Sequence, residues 1–261
     1  MDRDRQRGPL PGGAWIDPLA FVASDAIVNA GAWIGPDVNI GPGAVVSPGA
    51  VLGLAGPQCP PGPVEIGPGT WVGPHVHVEP GVQIGKDGVI GSSTLIRSGA
   101  RIGPAAEIGP RCTIMDNARI EEGAHLIADV YVCEYARLGP QCWISPGVSL
   151  VNDRYPPTAL EIAGPVVGQC AVIGVHSIIW PGVKLGYHAM VASLSEVKED
   201  VADYVLVRGC PARPVCDVRQ IRMKLKDKWV YPYPWMRINM PEEDITQPIV
   251  DFRKKRNGND R

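Results

Sequence analysis

The stretch IGKDGVIGSSTLIRSGARIGPAAEIGPRCTIMDNARI, residues 84–120, places isoleucine at 84, 90, 96, 102, 108, 114 and 120. Every sixth position is thus the same aliphatic. That spacing is neither the period of a helix face nor the alternation of an ordinary half-buried strand. The register extends outward on both sides. It reads Val22, Val28, Ile34, Ile40, Val46 and Leu52, then, after a break, Ile66, Val72 and Val78 leading in. Beyond the quoted stretch come Leu126, Val132, Leu138, Ile144 and Leu150, then a second break, then Val167, Ile173, Ile179, Leu185, Val191 and Val197. A mostly small residue precedes each by two positions, such as Ala100, Ala106, Cys112, Ala118 and Ala124.

A hexad repeat of aliphatics with Gly-Pro corners (Gly35-Pro36, Gly67-Pro68, Gly103-Pro104, Gly139-Pro140) predicts an all-β chain, a parallel β-helix. Three short strands, one per hexad, make one triangular coil, with large and small partners stacked inward. Glycine tolerates the corner dihedrals and proline fixes its own. Roughly nine coils at about 4.8 Å give a prism about 43 Å long. The expected organisation is a flexible arm over 1–19, the β-helix over 20–215 with loops at 53–63 and 151–165, and a C-terminal helix and tail over 216–261. Within the last part, Asp217 to Lys228 reads as a capping helix, Trp229 to Trp235 as an aromatic segment, and Phe252 to Arg261 as a charged, frayed tail.

A formal charge of −2 gives no overall basic field, so no nucleic-acid partner is expected. No apolar run approaches a membrane span and the N-terminus does not resemble a signal peptide, which points to a cytoplasmic protein. Seven cysteines without a Cys-x-x-Cys pair suggest neither a disulfide framework nor a metal site; Cys112 and Cys142 fall at inward positions. His75, His77, His125 and His188 read as surface residues.

The two breaks are where a rigid repeat releases chain, and such loops commonly carry binding groups. The second, V-N-D-R-Y-P-P-T-A-L-E-I-A-G over residues 151–164, is the more chemically loaded. A coil of three hexads stacks Asp116, Glu134 and Asn152 in one column and Asn117, Tyr135 and Asp153 in the next. Stacked carboxylates raise one another's pKa, which suits a base, although outward corners are polar in any solenoid.

At Asn152-Asp153-Arg154-Tyr155-Pro156 the chain resembles the hexapeptide-repeat N-acyltransferases that acetylate nucleotide-linked amino sugars. The likeness continues through Ile173-Gly174-Val175-His176-Ser177-Ile178 and ends in Gly209-Cys210-Pro211-Ala212-Arg213, near the family's Gly-Asn-Pro-Ala-Arg. The resemblance implies a left-handed β-helix and a homotrimer with acetyl-CoA, or another acyl-CoA, as co-substrate in a groove between subunits. It implies a small-molecule amine acceptor, an amino sugar that is free or nucleotide-linked, bound near the second loop. Glu134 matches the family's glutamate before its N-D loop and is the leading base candidate, with His176 and Asp153 as further catalytic candidates. Asn152, Asp153, Arg154, Tyr155, Asp116 and Asn117 would contact the acceptor; Gly174, Ser177, Ala192 and Arg213 would contact the coenzyme.

N-acylation needs a neutral amine, a donor for the developing oxyanion and a leaving thiolate, so a modest base and good positioning suffice. Other readings stay open: transfer to another amine or to a hydroxyl, or a non-catalytic β-helix scaffold. A zinc enzyme of the γ-carbonic-anhydrase type is disfavoured because no His-x4-His spacing exists.

Overall fold

The computed structural model describes residues 8–9, 13–57, 59–223 and 228–229. Short strands, most of them a single dipeptide, stack into three long sheets that form the sides of a prism. Face A runs from Trp15–Ile16 to Glu196–Val197, face B from Phe21–Val22 to Lys184–Leu185, and face C from Ile27–Val28 to Val205–Gly209. Partners along a face stand three hexads apart, as in Ile84, Ile102, Ile120 and Leu138. The architecture is the left-handed β-helix that the repeat and the resemblance predict.

The isoleucine ladder is the core. Ile90, Ile96, Ile108, Ile114 and Ile120 are almost completely buried, with Ala100, Ala106 and Ala118 beside them. Each fully buried aliphatic side chain contributes about 1.5–3 kcal/mol, so stability accumulates coil by coil. The corners put many non-glycine residues at positive φ, among them Asn117 at 57°, Tyr135 at 61° and His176 at 54°. Left-handed backbone is thus a feature of the corners generally and does not single out a reactive residue.

Both loops leave the same corner, between faces A and B. Val51 pairs with His77, where an unbroken ladder would bring Gly69 beside it, and the surplus chain is extruded as the first loop. Ser149 pairs with Ile178 where Val167 would otherwise stand, so the second loop is the longer of the two. The ladders on either side keep their register.

The ends differ from the sequence expectation. The first coil begins at Trp15–Ile16, within the stretch expected to be a free arm. Ala14 and Ile16 continue the small-large pattern and are buried, Trp15 stacks on Trp33 at 4.8 Å, and Gly8–Pro9 pairs antiparallel with this strand. At the other end Val205–Gly209 and Ala212–Asp217 form an antiparallel hairpin. The helix expected from Asp217 is replaced, among the described residues, by a single 3-10 turn at Val218–Gln220 and a strand at Arg222–Met223 paired with Lys228–Trp229. Asp217 is buried there and ion-paired to Arg219 at 2.6 Å, while Val218 packs in a small cluster with Cys170. His188 is buried against Tyr187 and Tyr204 and is not a surface residue. The rest of the aromatic segment and the charged tail lie outside the described residues. Among the described residues no helix is long and apolar enough to cross a membrane.

Candidate functional site

The second loop is a projection with a closed base. The Asn152 carbonyl accepts a hydrogen bond from the Ala163 amide at 3.0 Å, and Asp153 bridges to Ile162. The chain re-enters the prism at Gly164, where a Cβ would collide with the backbone of Tyr135 and Ala136. Asp153 holds the loop from within. Its Oδ1 accepts the Tyr155 amide at 2.8 Å and its Oδ2 accepts the Ala159 amide at 3.2 Å. The sequence reading aimed this carboxylate at the acceptor; the structure commits both oxygens to the loop's own backbone.

Beside the base stands the expected column. Asn152 Nδ2 donates to Glu134 Oε2 at 3.1 Å, which sets a half-buried carboxylate against the foot of the loop. Asp116, one coil earlier, faces Arg97 Nε at 3.3 Å, and the same guanidinium lies 3.1 Å from Glu79. The sequence reading missed Arg97 and Glu79, although they stand three hexads apart on the same corner. Cys59 of the first loop reaches Glu79 at 3.9 Å, so the polar column runs along the corner from one loop to the other. The Tyr131 phenol borders it; burial, then Cys133 and Glu134, push its pKa up. Asn117 leans back over Gly99, away from the second loop. Tyr135 is exposed at its corner.

On the loop's other side lies a hollow of about 490 Å³, between the loop and the next coils. Arg154, Glu161, Lys198, Glu199 and Asp200 supply mixed charges around Pro181 and Gly182. Arg154 Nη2 donates to the Pro181 carbonyl at 3.4 Å, and Arg213 sits 3.7 Å from Glu199, which ties that arginine to the rim. Tyr155 projects from the loop and is mostly exposed. Near the prism end, Glu196 accepts from Trp180 Nε1 at 2.9 Å and from the Cys210 thiol at 3.0 Å, and pairs with Lys198 at 3.0 Å. The Cys210 thiol pKa is raised by its bond to Glu196.

The remaining candidates occupy the corner between faces C and A. His176 is exposed and its ring covers Gly147, one coil back. Ser177 is fully buried, with its hydroxyl donating to the Ala192 carbonyl at 3.0 Å, so it shapes the corner and cannot itself meet a ligand. Gly174 and Ala192 sit at the same corner, partly exposed. Within one chain the Glu134 and His176 corners are opposite edges of face A, about 15–20 Å apart at ~3.3 Å per residue. One chain alone does not bring the two base candidates together.

Residues 63–98 match the family model described as bacterial transferase hexapeptide, six repeats. Within that stretch the chain is similar to bacterial transferase hexapeptide repeats. The chain is 36% identical over 87 residues to 2,3,4,5-tetrahydropyridine-2,6-dicarboxylate N-acetyltransferase of Brevibacillus brevis, covering 33% of this chain and 34% of that protein. It is 38% identical over 50 residues to chloramphenicol acetyltransferase of Klebsiella aerogenes, covering 19% of this chain and 24% of that one. The matched region therefore spans only about a quarter to a third of these relatives' length. Among solved structures, UDP-N-acetylglucosamine O-acyltransferase of Moraxella catarrhalis aligns over 88% of this chain and 79% of its own, at 19% identity and a TM-score of 0.38.

Proposed function

We propose that this hexapeptide-repeat chain is an acyl-CoA-dependent acyltransferase that moves an acetyl group onto the nitrogen of a small amine, an amino sugar in the first instance. The observation that carries the reading is the loop leaving the corner with Asn152 bonded to Glu134 at 3.1 Å. A carboxylate is thereby held beside a projection large enough to enclose an acceptor. The mixed-charge hollow next to it has room for a hexose-sized, hydroxyl-bearing molecule.

In the proposed step the neutral amine nitrogen attacks the thioester carbon. The C–N bond forms as the carbonyl oxygen takes up negative charge, the C–S bond then breaks, and the thiolate leaves. The proton lost by nitrogen passes to Glu134, and the departing thiolate is protonated from water. Holding the amine and thioester in line supplies much of the acceleration, so a single ordinary carboxylate suffices. The separation of the Glu134 and His176 corners supports a site shared between neighbouring prisms of a homotrimer, with the coenzyme along the groove and Arg213 at its phosphate end.

Thiol release from acetyl-CoA tests this against free amino sugars, nucleotide-linked amino sugars and the same sugars lacking the amine. Release that requires the amine is the expected result. Release no greater than background hydrolysis with every acceptor, or equal release without an amine, overturns the proposal.

A further inference from the structure

On face B the outward residues Arg101, Arg119 and Arg137 stand one above another in parallel register. All three are exposed. Strands about 4.8 Å apart put the outer two about 10 Å from each other. Among the described residues none of the three has a carboxylate partner, whereas Arg97, Arg111, Arg213 and Arg219 each face one. Like charges directly opposite on neighbouring strands destabilise a sheet. This chain stacks three although its acidic residues outnumber its basic ones, 27 to 25. Beneath the first two rungs lies a hollow of about 480 Å³ bordered by Glu65, Gln83 and Glu121. Glu65 accepts from Asn39 Nδ2 at 2.8 Å, and neither it nor Glu121 forms an ion pair with the ladder.

We propose that this ladder binds a linear oligophosphate of three or more phosphoryl groups. The guanidinium fork matches phosphate oxygens in pairs, and a row of such forks needs a row of anions. A single phosphate spans one or two rungs; a chain satisfies all three and relieves their mutual repulsion. The outward neighbours of the ladder are Gln83 and Val166, neither of them an aromatic ring on which a base would stack, so the phosphate chain itself is the recognised group. The proposal does not rest on the acyl-transfer reading, and its test reads binding alone.

Calorimetric titration of the full chain with inorganic tripolyphosphate, without metal, is the experiment. Binding should weaken as salt is added. Arg119→Gln, at the central rung, should weaken it at least tenfold, while Arg208→Gln, an exposed arginine away from the ladder, should leave it unchanged. Orthophosphate at matched ionic strength should bind at least tenfold more weakly, and ATP no more tightly than tripolyphosphate. Arg119→Gln should melt no earlier than the parent; if it does, Arg137→Gln provides the same comparison. Absent binding, binding indifferent to both substitutions, orthophosphate as tight as tripolyphosphate, or ATP more than tenfold tighter would each overturn the assignment.

Discussion

Asp153→Ala separates a residue that touches the acceptor from one that shapes the loop. The carboxylate accepts two loop amides, from Tyr155 at 2.8 Å and Ala159 at 3.2 Å. Hydrogen bonds to a charged group contribute about 1.5–3 kcal/mol each, and partial exposure moves both toward the lower end. Losing the pair should cost about 3 kcal/mol of local stability, a rise in loop opening of about 150-fold. The global melting temperature should move little, because the coils stack without the loop's help. Asp153→Asn keeps one acceptor oxygen and should show about half the effect. Amide hydrogen exchange at Tyr155 and Ala159 reads the opening, and the acceptor KM should rise with it while acetyl-CoA affinity holds. Unchanged exchange at both amides, with a loss of coenzyme affinity, would refute the reasoning.

Ile120→Ala, in the fully buried ladder, should destabilise the prism by about 2–5 kcal/mol, read by thermal or urea unfolding. Gly147→Ala places a Cβ where the His176 ring lies, at φ +69°, so about 1–2 kcal/mol of backbone strain should lower the melting temperature, and the displaced ring should lower turnover in the same variant. Burial pushes the Cys133 and Cys142 thiols up to about 12 and Cys170 up to about 11. At pH 8 those three should therefore resist iodoacetamide in the folded protein while partly exposed Cys59 is alkylated, as peptide mass spectrometry would show.

The prism is legible because its period belongs to the sequence itself. Hexads put Ile84 to Ile120 inside, and counting them three at a time brings Glu134 and Asn152 to one corner, where the two side chains do meet. The orientation of Asp153 is hidden because it depends on where the loop amides of Tyr155 and Ala159 turn, and no repeat governs the loop. Arg97 escapes notice for a different reason: its column changes character with each coil, from Glu79 to Arg97 to Met115, so the pairing shows only once side chains lean across rungs. The C-terminal segment misleads through composition. Apolar points at Val218, Ile221 and Met223 suit a helix, yet Asp217 draws Arg219 into a buried ion pair at a sharp turn, and His188 is buried against Tyr187 and Tyr204. The first coil is obscured by the Pro- and Gly-rich lead-in, although Ala14 and Ile16 keep the register.

The most direct test of an acyl transferase centred on this corner is the turnover of Glu134→Gln with the acceptor that releases most thiol. The amide can still accept from Asn152, so the loop's foot should persist while the proposed base is lost. A fall in kcat of about 10²- to 10⁴-fold with unchanged acetyl-CoA affinity is the predicted result. Full turnover in this variant, or loss of coenzyme binding in place of turnover, would contradict it.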